Sequence, residues 1–260
     1  MLLRRVIEHV KAQNWTAVAL DFFIVVVGVF IGIQVANLND ARQTREIADD
    51  FAERLVDDLS FEAWQYVYIV EYYDDVLASA ERTLAILNGE RDGSDDELLI
   101  SAYRATQFTQ DDHRRATFDE ITATGAMGLI RDPELRKTAM NVYSATIFRE
   151  IYDSISVTPY RNLFRSEIPA AVQDALLAEC GDKFVDVHNY SSIVDTLDYP
   201  CESGLTAESI RISVEALRQN EDFLRALRLH RSNLKTQIDL LTRWYPDVRN
   251  NLEKFRKEKT

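Results

Sequence analysis

The sequence predicts an all-α fold in which one N-terminal transmembrane helix continues into a long-helix bundle domain. Three observations carry this expectation. Residues 17–36, AVALDFFIVVVGVFIGIQVA, are apolar apart from Asp21 and Gln34, and residues 22–33 hold no polar side chain at all. The chain has only 8 glycines and 5 prolines in 260 residues, together about 5% where about 12% is usual, which leaves few turns and favours long helices. Beyond the span, apolar side chains recur three and four positions apart, the period of a helix with one buried face. The organisation that follows is a cytoplasmic amphipathic segment over residues 1–16, a span over residues 17–36 and an extracytoplasmic helical domain over residues 37–260.

In the first segment Leu2, Leu3, Val6, Ile7 and Val10 share helical spacing while Arg4, Arg5, Glu8, His9 and Lys11 take the other side. That is the pattern of a short helix lying on a membrane surface; a frayed tail is the alternative. Trp15 follows where headgroups meet hydrocarbon, which suits an indole with one wet edge and one apolar face. The span has the required length, because a bilayer core about 30 Å thick takes roughly 20 apolar residues as a helix that satisfies its own backbone. Residues 22–27 cover the whole circumference, whereas a buried core helix keeps a polar face. A cleaved signal peptide fits less well, since Gln34 stands where cleavage after Ala36 wants a small side chain.

Within the span, Gly28 and Gly32 make a G-x-x-x-G that Ala36 extends, and Asp21, seven residues before Gly28, lies on nearly the same face. A row of small residues lets two helices approach closely, and a carboxylate just inside a membrane marks a contact. The expected partners are the lipid bilayer, a second copy of the span in a homodimer, and an envelope protein.

Arg4, Arg5 and Lys11 precede the span while Arg42 and Arg45 follow it, a small bias that leaves the N-terminus in the cytoplasm. The only two cysteines, Cys180 and Cys201, flank an irregular stretch that ends in proline. A disulfide between them would close a loop worth about 3 kcal/mol and persist only in an oxidising compartment. Two unpaired core thiols are the alternative. Both signals place residues 37–260 outside the cytoplasm. That part alone carries a net charge of −14, against −13 for the whole chain, and so acidic a surface repels phosphate backbones, which argues against nucleic acid as a partner.

With Asn14 and Trp15, the stretch DFFIVVVGVFIGIQVANLND at residues 21–40 resembles the N-terminal signature of an uncharacterised family of bacterial single-pass inner-membrane proteins, a domain of unknown function. TFDEITATGAMGLIRDPELR at residues 117–136 is similar to a second region of that family. Leu38 departs from the pattern, in which tryptophan stands between the two asparagines. The resemblance implies a bacterial inner-membrane location and brings no activity and no catalytic residues.

After the span the first helix is expected to run on to Asn88, because no glycine or proline occurs over residues 33–88. Its stripe is Ile47, Phe51, Leu55 and Leu59, then Tyr66, Ile69, Tyr73, Val76, Ala80, Leu84 and Leu87. Trp64, Tyr66, Tyr68, Tyr72 and Tyr73 read as core or interface rather than as a ligand pocket. Ser94 with Glu97 makes a capping box that opens a second helix to about Thr109, and Thr117 with Glu120 repeats it for a short third. Asp132 and Pro133 start a fourth, continuing through Leu135, Ala139, Val142, Ile147, Ile151 and Ile155 until Pro159 ends or kinks it. A fifth covers residues 160–179, bent at Pro169 and closed by Gly181. Thr206 caps a sixth, stapled by Leu205 and Ile210. The last follows Asn220 through Leu224, Leu227, Leu234, Ile238, Leu241 and Tyr245. It is expected to return antiparallel to the first, so that Arg243, Arg249, Lys254, Arg256, Lys257 and Lys259 meet Glu46, Asp49, Asp50, Glu53, Asp57, Asp58 and Glu62.

No catalytic, cofactor-binding or metal site is expected. There is no G-x-S-x-G, P-loop, G-x-G-x-x-G, H-E-x-x-H or Glu-x-x-His pair. The histidines, at positions 9, 113, 188 and 230, are far apart. Asp111, Asp112 and His113 are neighbours on the chain, which cannot by themselves converge on one ion, and read as a solvated connector. The sequence supports a membrane-anchored helical scaffold or assembly subunit of the bacterial cell envelope. The alternatives are a periplasmic ligand-sensing module acting through a partner protein, and an enzyme of unrecognised type.

Overall fold

The computed structural model describes Ile7 and residues 15–109, 113–244 and 246–256. The surface helix expected from Leu2, Leu3, Val6 and Val10 lies outside them, as do Asp111, Asp112, Tyr245, Lys257 and Lys259. The fold is all-α, with no strand among the described residues.

Helix α1 runs without a break over Trp15–Leu87, 73 residues. At 1.5 Å per residue it is about 110 Å long. Its two ends live in different surroundings. No residue of its most apolar window is buried, and the helix is long and apolar enough to cross a membrane. Burial starts at Ala48, and residues 59–66 are buried without exception. Eight consecutive residues make more than two turns, so there the domain wraps α1 on every side, while further on Ile69, Tyr73, Val76 and Ala80 are buried opposite the exposed Glu71, Asp74 and Glu81, the single stripe the periodicity suggests. Ile47, at the head of that stripe, is 44% exposed, while Ser60, Glu62 and Gln65 are buried. The helix ends in a Schellman turn. Gly89, at φ +71, donates to the Ile86 carbonyl and Glu90 to that of Ala85, a left-handed position that glycine takes without steric cost.

The shorter helices follow from their caps. Helix α2 (Asp95–Arg104) opens on Ser94, whose hydroxyl accepts from the Glu97 N–H. It stops well short of Thr109, because Thr106 Oγ1 and Gln107 Nε2 both donate to the Tyr103 carbonyl that a further turn needs. Helix α3 (Ala116–Ala123) begins one residue before the expected cap, so Thr117 is buried inside its first turn and Arg115 precedes it with no side-chain cap. The expected fourth helix is two. Helix α4 (Pro133–Ser144) starts on Asp132, which accepts from Glu134 and Leu135, and extended backbone at Ala145 separates it from α5 (Ile147–Ser156).

Pro159 opens a helix instead of ending one. Thr158 caps α6 (Pro159–Glu167), where the missing proline N–H is one the first turn leaves unpaired anyway. Pro169 divides α6 from α7 (Ala170–Cys180). Gly181 follows α7 at φ −76, not left-handed. Glycine is required there by space, since a Cβ would lie 2.4 Å from the Leu177 carbonyl oxygen. Helix α8 (Ala207–Gln219) is capped by Thr206, and α9 (Glu221–Asp239) by Asn220. A wider π turn, Leu240–Trp244, then leads into α10 (Pro246–Glu253). Pro246 accounts for the turn: it cannot donate to the carbonyl four residues back and its ring crowds it. That carbonyl, on Thr242, accepts from Arg249 Nη1 at 3.3 Å instead.

Helix α9 lies antiparallel to α1. Arg231 pairs with Glu81 at 2.9 Å, and further along the Tyr66 hydroxyl donates to the Leu241 carbonyl at 3.0 Å. The expected seam of opposite charge is organised differently. Lys254 pairs with Glu134 of α4, Arg256 sits 4.1 Å over the Tyr190 ring, and Arg54, inside the acidic run, pairs with Asp50 and with Glu120 of α3. Tyr160 ties three helices: its hydroxyl donates to the Ala102 carbonyl at 2.7 Å, and its ring stacks on His230 and packs on Phe223.

Candidate functional site

Gly28, Gly32 and Ala36 lie exposed on the first part of α1, with Asp21 half-buried. A Cβ built on either glycine meets nothing within 4 Å, so the row of small residues is uncovered within this chain. Cys180 and Cys201 are bonded, their Cα atoms 5.6 Å apart.

The aromatic residues of α1 are core, as expected. Trp64 stacks on Tyr68 at 5.2 Å, Tyr68 meets Tyr72 at 5.8 Å, and Tyr72 meets Tyr73 at 5.6 Å. The ladder ends on Asp182, whose carboxylate accepts from the Tyr72 hydroxyl at 2.8 Å. Burial raises the Asp182 carboxyl, and the Tyr72 hydrogen bond and the Arg161 charge oppose that rise.

Beside the disulfide stands a buried arginine that no sequence pattern marked. Arg104 is 5% exposed. Its Nε donates to the Cys180 carbonyl at 3.3 Å, its Nη2 to the Tyr199 carbonyl at 2.9 Å and to Cys201 Sγ at 3.3 Å, and the guanidinium lies 4.5 Å over the Tyr199 ring. It thereby fastens α2 to both ends of the disulfide loop. In front of it opens a cleft of about 460 Å³, walled by Asp96, Glu97 and Ser101 of α2, by Arg82 of α1 and by Asp198, Tyr199 and Cys201 of the loop. Three acids and two arginines line it.

Asp75 stands behind Asp198 and accepts from its backbone N–H. Burial, with Asp198, Glu71 and Asp74 nearby, pushes the Asp75 carboxyl up to about 7, and its Oδ2 is buried without a hydrogen-bond partner. A raised acid holds its proton in the folded state, so the folded form loses stability as pH climbs from about 4 through 7. Asp75→Asn removes that loss. In urea unfolding the variant is expected to exceed the parent by about 1–2 kcal/mol at pH 8, after allowing for solvent screening of a half-exposed group, and the difference is expected to shrink as pH falls and to vanish below about pH 4. Equal curves at both pH values count against this account.

The described part of the connector, residues 113–115, is exposed at Arg114 and Arg115, as expected, but it is also tied to the core. His113 Nδ1 lies 2.7 Å from Oε2 of Glu62, whose other oxygen accepts from the Arg114 N–H at 2.7 Å. The Tyr143 hydroxyl donates to the Arg114 carbonyl, and the Arg114 guanidinium covers the Phe61 ring. Wrapping α1 buries Glu62, and the connector is what satisfies it. Among the described residues no group of three or more acids, histidines or cysteines is arranged to hold a metal ion.

Fold and geometry define an all-α chain whose first helix is long and apolar enough to cross a membrane and then becomes the axis of a disulfide-bonded helical domain. Set against protein-family models, curated proteins and solved structures, the chain matches none.

Proposed function

We propose that this chain is a membrane-anchored helical scaffold or assembly subunit of the bacterial inner membrane, its N-terminus in the cytoplasm and its helical domain in the periplasm. The observation that carries the reading is α1, one unbroken helix, apolar and uncovered at one end and buried on all sides over residues 59–66. Such a helix joins bilayer and domain with no flexible linker. The bonded cysteines favour an oxidising compartment for the domain, and the sequence resemblance favours a bacterial inner membrane. The open row of Gly28, Gly32 and Ala36, with Asp21 on nearly the same side, suits a second span as partner.

Two measurements test this. A phosphatase reporter that works only outside the cytoplasm, fused after Thr260, is expected to be active; an expressed but inactive fusion reverses the orientation. On native gels the detergent-solubilised chain is expected in an assembly larger than its own dimer, dispersed when residues 1–36 are exchanged for a cleaved signal peptide. A chain that migrates alone in both forms overturns the scaffold role.

A second reading, a periplasmic ligand-sensing module, is favoured by one feature, the 460 Å³ cleft beside the disulfide. Its volume falls in the range of about 300–1,000 Å³ common to small-molecule sites.

A further inference from the structure

We infer that this cleft binds a small zwitterion, an amino acid or short peptide with a free carboxylate and a free ammonium group; the inference rests on the ligand-sensing reading and gives it a ligand class. The argument begins with which charges in the cleft are already engaged. Asp96 accepts from the Ser203 hydroxyl. Glu97 accepts from Arg91 at 2.7 Å and from its own helix no further cation. Arg104 is held by neutral acceptors alone, two carbonyls and a sulfur, with Asp182 acting on it only at longer range.

Two lining side chains remain, Arg82 and Asp198. Neither makes a hydrogen bond or an ion pair through its side chain with another described residue. They carry opposite signs. A half-buried guanidinium without a partner keeps its whole donor fork for a planar carboxylate. Arg104 adds a second positive charge that cannot swing away, because α2 and the disulfide loop fix it.

The sign balance then selects the ligand. A simple anion would find Arg82 and Arg104 but also Asp96, Glu97 and Asp198, and a simple cation would find the three acids but also the two arginines. Like charges brought together in a recess of lowered dielectric cost binding energy. A molecule with both signs a few atoms apart satisfies both sets. Specificity arises because a ligand that lacks one of the two groups forgoes the ion pair with Arg82 or with Asp198.

The test uses the full chain in detergent. The probes are the twenty L-amino acids and their dipeptides with alanine, at millimolar concentration, read by thermal unfolding and then by calorimetric titration of those that act. At least one zwitterion is expected to raise the midpoint saturably, with its N-acetylated and its C-amidated forms each at least tenfold weaker. Arg82→Gln and, separately, the exposed Asp198→Asn are expected to weaken binding tenfold or more, while Arg211→Gln on the outer face of α8 leaves it unchanged. Two variants keep the result readable if one of them fails to fold. If acetate-like carboxylates or simple amines act as well as zwitterions, the ligand class is wrong while the sensing reading stands. If none of these probes acts, both fall.

Discussion

Replacing Cys180 and Cys201 together with alanine is expected to lower the unfolding free energy by about 3 kcal/mol. The two residues are 21 apart in sequence, and opening that loop returns to the unfolded chain the freedom the crosslink removes. For a domain of this size the loss corresponds to a fall of roughly 6–12 °C in the unfolding midpoint. The folded loop is expected to keep its place, because other bonds hold it. Lys183 donates to the Thr196 carbonyl at 3.0 Å, the Tyr199 hydroxyl to that of Gly181 at 2.6 Å, and Arg104 reaches both ends. Far-ultraviolet circular dichroism at 20 °C should therefore be unchanged while the melting curve moves. Reducing the parent protein should reproduce the shift, and a parent whose melting is indifferent to reductant would show that the bond does not form.

The second large effect is acid sensitivity at His230. Its Nε2 lies 2.9 Å from the Ala105 carbonyl, an acceptor only, so that nitrogen carries the proton of the neutral ring. Nδ1 is buried with no partner, and the ring stacks on Tyr160. Protonation would place a charge and a second donor where nothing accepts it. Burial accordingly lowers the histidine to about 4, partly offset by the carbonyl hydrogen bond. The unfolded chain protonates near pH 6.5 and the folded one does not, so stability is lost as pH falls from about 6.5 toward 4. The loss is about 3 kcal/mol. His230→Gln forgoes the stacking at every pH but removes the titration. The difference between parent and variant in urea unfolding is expected to shrink by about that amount between pH 7 and pH 4. A difference that stays constant with pH would show the histidine already charged at neutrality. Asp75 works in the opposite direction over much of the same range, which is why the comparison needs the variant and not the parent's curve alone.

What could be read from the sequence was whatever depends on near neighbours. The length of α1 follows from the lack of glycine and proline after Ile33, and Ser94, Asp132, Thr206 and Asn220 cap helices because their oxygens reach N–H groups two or three residues away. Pro159 was legible as punctuation but not as a beginning, since the same residue suits a first turn or a break. The wrapped part of α1 was not legible. Periodicity assigns a helix one buried face, and a helix buried all round must hide polar residues whose partners lie far along the chain, as Glu62 does with His113 and Arg114. Arg104 was silent for the same reason: three of its acceptors come from residues 180–201, and nothing local announces them.

Between the last residue of the apolar stretch and the first buried residue of the domain, α1 crosses residues 37–47 with every side chain exposed. That bare interval is about 17 Å long, and an α-helix turns about 100° for each residue along it. It therefore acts as a drive shaft with a fixed phase. Removing one residue swings the cleft through more than a quarter circle relative to the apolar end of α1, whereas removing seven restores its bearing to within about 20°. Any rotation of the apolar end of α1 by part of a turn would rotate the cleft by the same angle, with no break in the helix between them to absorb the torque.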